Sequence, residues 1–279
     1  GVVAGGVTRV IDETRLVQDG AAFALDAHFI SGRLSIEGFA PDADGARRLE
    51  VFAERLLPER VRVDLRLAPG AAPEAWERAA RLMLSELVRL DAGDAVMRGD
   101  RLAVTGLAAN AQTAESVRQA MNATPPSYVA GALVRAPGGS FSTEITDAAL
   151  CEAFIDAVLG ARPLAFETGS AAITDDASQA LRRAGDVFAR CRDLALTVAV
   201  RAQSDDQPGA ELAARRARAV AAALTESADV RARIRARADS YDSRRAIRFE
   251  VGPLREAGPQ ATPDDPGAEI PADPAEQEI

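Results

Sequence analysis

Few side chains here could carry covalent chemistry. The chain has one histidine, His28, and two cysteines, Cys151 and Cys191. A single imidazole excludes most histidine-based triads and metal centres, and two thiols fall short of the four ligands of a structural zinc site. There is no Gly-x-Ser-x-Gly elbow and no Walker-type phosphate loop, and Gly138-Gly139-Ser140 reads as a linker. The acid pairs Asp175-Asp176 and Asp205-Asp206 are adjacent in sequence, and adjacent residues rarely converge as a catalytic dyad. Helix starts and turns account for them. The residues therefore predict a protein with no catalytic residue, no cofactor and no metal.

The elements that would position any binding site must come from a chain of 279 residues, enough for two or three compact units. Apolar residues make up 47% and charged residues 27%, an ordinary globular balance, and no run reaches the roughly 18 apolar residues of a bilayer span. All 33 basic residues are arginine, which a GC-rich genome explains. A net charge of -9, a pI near 4.9 and only 4% aromatic residues argue against a nucleic-acid partner. The small apolar start, residues 1–7 (GVVAGGV), fits the stub of a trimmed signal peptide or membrane anchor, and equally an arbitrary boundary.

An internal repeat is the strongest organising feature. Residues 33–70 recur without a gap as residues 101–138, an offset of 68. Arg33-Leu34 matches Arg101-Leu102, Gly38 matches Gly106, Ala40 matches Ala108, Pro58 matches Pro126, Val61 matches Val129, and Ala68-Pro69-Gly70 matches Ala136-Pro137-Gly138. In each copy a short alternating strand should stop at the glycine, a helix should follow (44–57 or 112–122), and a second strand should close the copy (61–68 or 128–136). A longer helix over 73–90 should join the copies. This pattern resembles the BON module of bacterial envelope proteins, and the resemblance implies contact with membranes, envelope structures or partner proteins. A duplication that merely enlarged a scaffold is the other reading.

The last third predicts a strand containing Phe166, a helix opening at Asp175, a strand over 194–200, a helix over 211–224, a strand over 230–238 with one basic face, and a final strand over 246–251. Phe166 with Gly169-Ser170-Ala171, the helix pattern of Leu212, Ala213, Arg216, Ala217, Val220 and Leu224, and Ser243-Arg244-Arg245 before a strand stand in the order seen in OmpA-like peptidoglycan-binding domains. Over residues 143–251 the chain resembles that family.

The resemblance implies that Arg216 clamps the carboxylate of diaminopimelate in a peptidoglycan stem peptide, with an acidic group at the preceding strand end holding the ammonium group. Where the family carries Gly-His-Thr-Asp, this chain has Arg201-Ala202-Gln203-Ser204 and a shorter loop, so Ser204 and a shifted Asp205 or Asp206 are the candidates. A solvated acidic turn before the helix is the alternative. In an envelope protein the even pair Cys151 and Cys191 reads as a disulfide closing a loop of about 40 residues, worth roughly 3 to 5 kcal/mol. Two buried thiols are the alternative.

The expected fold is α+β: two tandem BON-like modules, each a mixed sheet with helices on one face, at 1–72 and 73–140. An OmpA-like βαβαββ domain at 141–253 and a disordered acidic tail at 254–279 would follow. The expected function is non-catalytic, in the periplasm or cell envelope, with membrane association through a segment upstream. Its partners would be peptidoglycan or, alternatively, other envelope proteins in a scaffold that binds no peptidoglycan.

Overall fold

The computed structural model describes residues 23–68, 70, 72–139, 144–159, 164, 166, 169–201, 209–239 and 247–254. The first repeat copy contributes β1 (Leu25–Ile30), β2 (Arg33–Ala40), α1 (Ala43–Leu56) and β3 (Val61–Leu67). After α2 (Trp76–Leu87) the second contributes β4 (Ala92–Arg98), β5 (Arg101–Leu107), α3 (Ala111–Asn122) and β6 (Val129–Arg135). The repeat extends to the helix caps. Asp42 accepts a hydrogen bond from the Gly45 amide at 2.6 Å and its counterpart Asn110 accepts one from Thr113 at 2.8 Å.

Each copy has one strand more than expected, because β1 and β4 form hairpins with β2 and β5. The turns are two residues long: Ser31-Gly32, with φ of 51° and 71°, and Gly99-Asp100, with Gly99 at 56°. Positive φ at such positions matches the twist of the flanking strands. Gly38 and Gly106 do not end their strands. Both lie inside β2 and β5, where an added Cβ would sit 2.1 Å from the Ala24 carbonyl oxygen and 2.4 Å from that of Ala92. The repeated glycine therefore admits the backbone of the hairpin partner.

The copies do not build a sheet each. They share one six-stranded sheet in the order β3-β2-β1-β4-β5-β6. Separate three-stranded sheets would leave the β1 and β4 edges unpaired, and joining them satisfies both rows of backbone groups. On this antiparallel seam Ala27 faces Ala95, its own counterpart at the 68-residue offset, with Leu25 opposite Met97 and Phe29 opposite Gly93 about that centre. The sheet is thus approximately two-fold symmetric.

The symmetry breaks at the outer strands. Leu34 pairs with Val61, but its counterpart Leu102 pairs with Ala130, one residue past Val129. A one-residue slip turns a strand over. Val61 accordingly packs against the core, while Val129 is 40% exposed.

One face of the sheet, with Leu25, Ala27, Phe29, Leu34, Ile36, Met97 and Val104, packs under α1, α2 and α3. The opposite face receives α4 (Ala148–Leu159), which packs only over the second copy's half: Val96, Ala103 and Leu133 join Cys151, Phe154 and Ile155 in a second core. In the first copy the positions of Val96 and Ala103 are held by His28 and Ser35. That exchange of apolar for polar side chains decides which half the helix covers.

The second core continues into α5 (Asp175–Phe188), β7 (Leu194–Arg201), α6 (Gly209–Leu224), the single turn α7 (Ala228–Arg231), β8 (Ile234–Asp239) and β9 (Ile247–Pro253). Their sheet has the order β8-β7-β9, with β8 parallel and β9 antiparallel to β7. Three boundaries differ from expectation. Residues 230 and 231 belong to α7, so the arginine-alternating strand starts at Ile234, and the helix expected over 73–90 is confined to Trp76–Leu87. The strand expected around Phe166 is absent from the two residues described there, Leu164 and Phe166. The expected acidic tail falls, from residue 255 on, outside the described residues.

Candidate functional site

The sequence of α6 is rich in alanine, the best helix former, and places Leu212, Ala213, Ala217, Val220 and Leu224 on one stripe, all at most 4% exposed. Arg216 lies on the same stripe. It is 2% exposed, the largest fully buried side chain among the described residues.

Two residues from the segment before α5 hold its guanidinium. The Nε donates to the Ser170 carbonyl at 2.8 Å, and the Phe166 ring lies beneath it, 4.9 Å from centroid to Cζ. Gly169, at a φ of 70°, turns the backbone just before Ser170. Residues some 50 positions apart in sequence therefore converge, and the group they fix is a planar cation suited to bidentate contact with a carboxylate. Ser204 and Asp205, expected opposite Arg216, lie outside the described residues, as does Asp206.

The two cysteines do bond. Cys151 of α4 is joined to Cys191 after α5, with Cα atoms 6.1 Å apart, and both residues are fully buried. Beside them Arg233 stacks on Phe188 at 4.6 Å and donates to the carbonyls of Cys191 at 2.5 Å and Leu194 at 3.0 Å. Burial, then repulsion from Arg192, lowers its pKa from the usual arginine value.

Ion pairs fasten α4 to the large sheet. Arg98 donates to Asp26 of β1 at 2.6 Å and to Asp156 of α4 at 3.2 Å, and Arg101 donates to both carboxylate oxygens of Asp147 at 3.1 and 3.3 Å. Burial alone would lower the Arg98 pKa, but the two carboxylates outweigh it and raise the value.

Sequence reasoning gave His28 no role. Its Nδ1 lies 2.5 Å from the Asp94 carboxylate, directly across the seam, and Ser35 faces it from the other neighbouring strand. The hydrogen bond to Asp94 raises its pKa above 6.5 despite partial burial. The signal was the alternation of Asp26 and His28 with Leu25, Ala27 and Phe29, which marks a strand with one polar face. Among the described residues no three metal-ligating side chains cluster. A groove of about 700 Å³ opens between the N-terminal ends of α1 and α2, beside Trp76, and Glu77 ion-pairs there with Arg48 and Arg81.

No protein-family profile matches the chain, and a search of curated proteins finds no significant relative.

Proposed function

We propose that the chain is a non-catalytic bacterial cell-envelope protein of the OmpA-like kind. In this reading two BON-like copies, 1–72 and 73–140, carry a unit at 141–253 that engages the diaminopimelate-containing stem peptide of peptidoglycan in the periplasm. The observation that supports this is the convergence of Phe166, Ser170 and Arg216, the elements of the resemblance, around one guanidinium. A cation held on its plane by an aromatic ring and on its Nε by a carbonyl is pre-oriented, so little ordering entropy remains to be lost when a carboxylate arrives. Asp205 is the proposed ammonium acceptor, with Ser204 beside it.

A second reading has one observation in its favour. At 2% exposure, Arg216 is as buried as the leucines around it, as suits a purely architectural arginine in a scaffold that docks envelope proteins. Sedimentation with purified sacculi distinguishes the two. Wild type should co-sediment, free meso-diaminopimelate should compete, and Arg216→Lys, which keeps the charge but loses the fork, should bind at least about tenfold more weakly, the equivalent of 1.4 kcal/mol. Failure of folded wild-type protein to co-sediment would leave the scaffold reading.

A further inference from the structure

On the polar face of the large sheet, the register places Asp26, Glu37 and Asp64 side by side across β1, β2 and β3. Arg98 bonds Asp26 at the inner end of this acid row. Asp64 ends the row at the rim of the sheet, since β3 has only β2 beside it among the described residues. Arg62 and Arg66 flank Asp64 on the same side of the strand.

The backbone of that rim is open as well. Leu34 donates its amide to the Arg60 carbonyl at 2.9 Å, and Ala68 donates to the Ala40 carbonyl at 3.0 Å. The even-numbered residues of β3 therefore bond to β2, and the amides and carbonyls of Val61, Val63, Leu65 and Leu67 point outward. Such a row is a template for another strand. The opposite rim differs. On β6 the Arg118 side chain donates to the outward carbonyl of Val134 at 3.1 Å, and Ala132 and Val134 stand where β3 has Asp64 and Arg66. We infer that β3 pairs antiparallel with the β3 of a second copy, about a two-fold axis at Leu65, and so joins two six-stranded sheets into one.

Charge selects this register. A two-fold axis at Asp64 would set Asp64 against Asp64 and Arg62 against Arg66, and like charges directly opposite each other are destabilising. An axis at Val63 brings Arg62 to Asp64 but also Arg60 to Arg66. With the axis at Leu65, Asp64 of each copy meets Arg66 of the other and no like charges face each other. Arg66 stacks on Phe39 at 4.7 Å, which orients its guanidinium and keeps the in-plane N–H groups for a carboxylate. The same register lays Leu67, a large apolar residue 55% exposed, beside Val63 of the second copy.

The overlap, residues 63–67, is shorter than a standard interface requires, so the dimer is weak, with a dissociation constant on the order of 0.1 mM. In sedimentation equilibrium at roughly 0.5 mM, several times that constant, the full chain should weigh well above a monomer. Arg66→Asp and Asp64→Arg change exposed side chains and should each stay monomeric, with a circular dichroism spectrum like that of wild type. An equimolar mixture of the two variants should regain the wild-type mass, because each then offers the charges the other lacks. A monomeric wild type overturns the inference, as does either variant associating alone as wild type does, or a mixture that remains monomeric.

Discussion

His28 and Asp94 meet across the strand pair that joins the two copies, with Asp26 and Glu37 adding negative charge nearby. The folded pKa of His28 is raised, so the pair stabilises the protein fully below the unfolded value of 6.5, and that contribution is lost as pH rises through the folded value. Both side chains are about a third exposed, at 29% and 35%, which limits the effect to about 0.5–1 kcal/mol. Urea midpoints of wild type should fall as pH rises above the unfolded value of 6.5, and His28→Gln should flatten that slope. Parallel profiles for the two proteins would remove the assignment.

Glu152 behaves in the opposite chemical sense. Burial raises its pKa, so its charged form costs stability at neutral pH and the cost is relieved as pH falls through the folded value. Glu152→Gln keeps an oxygen to accept from the Val251 amide, so it should be more stable than wild type at pH 8, by thermal denaturation, and converge with it in mild acid.

At the scale of elements, α4 belongs to both units. Arg98 bonds it to β1 and β4 while being 18% exposed, and its partners Asp26 and Asp156 are 20% and 17% exposed. Arg98→Ala would leave two shielded carboxylates uncompensated and should cost about 3 kcal/mol by urea denaturation. Gly185→Ala is a second test of element packing: the new Cβ would fall 1.6 Å from the Leu224 carbonyl oxygen, so α5 and α6 must separate. A loss of at least about 2 kcal/mol is expected.

Most of these elements were legible beforehand because their signals are local. The apolar stripe of α6 has helical period, and Pro58 and Pro126 lie beyond the ends of α1 and α3. Of the hairpin strands, AGDAVMR was hidden because it mixes small, charged and apolar residues, whereas LDAHFI alternates, and Ser31-Gly32 and Gly99-Asp100 are the kind of pair that closes a two-residue turn. Phe166 and Arg216 were identifiable as residues, but the burial of Arg216 was not, since a charged residue on an apolar stripe gives no measure of what covers it.

At the scale of the whole molecule, the disulfide closes a loop of 40 residues inside the second core. Cys151→Ala/Cys191→Ala should cost about 4 kcal/mol on the chain-entropy model. Because Val96, Ala103 and Leu133 share that core, hydrogen exchange should quicken in β4, β5 and β6 as well as in α4, α5 and β7, and least in β3. Exchange confined to residues after 144 would show that the two units unfold independently.

The seam through Ala27 and Ala95 also sets how the gene can vary. An insertion in β1 shifts every pair beyond it against β2 and β4 together, so it survives only with matching changes on both sides. The peripheral strands β3 and β6 answer to a single neighbour, and there the two halves have already drifted apart by one position.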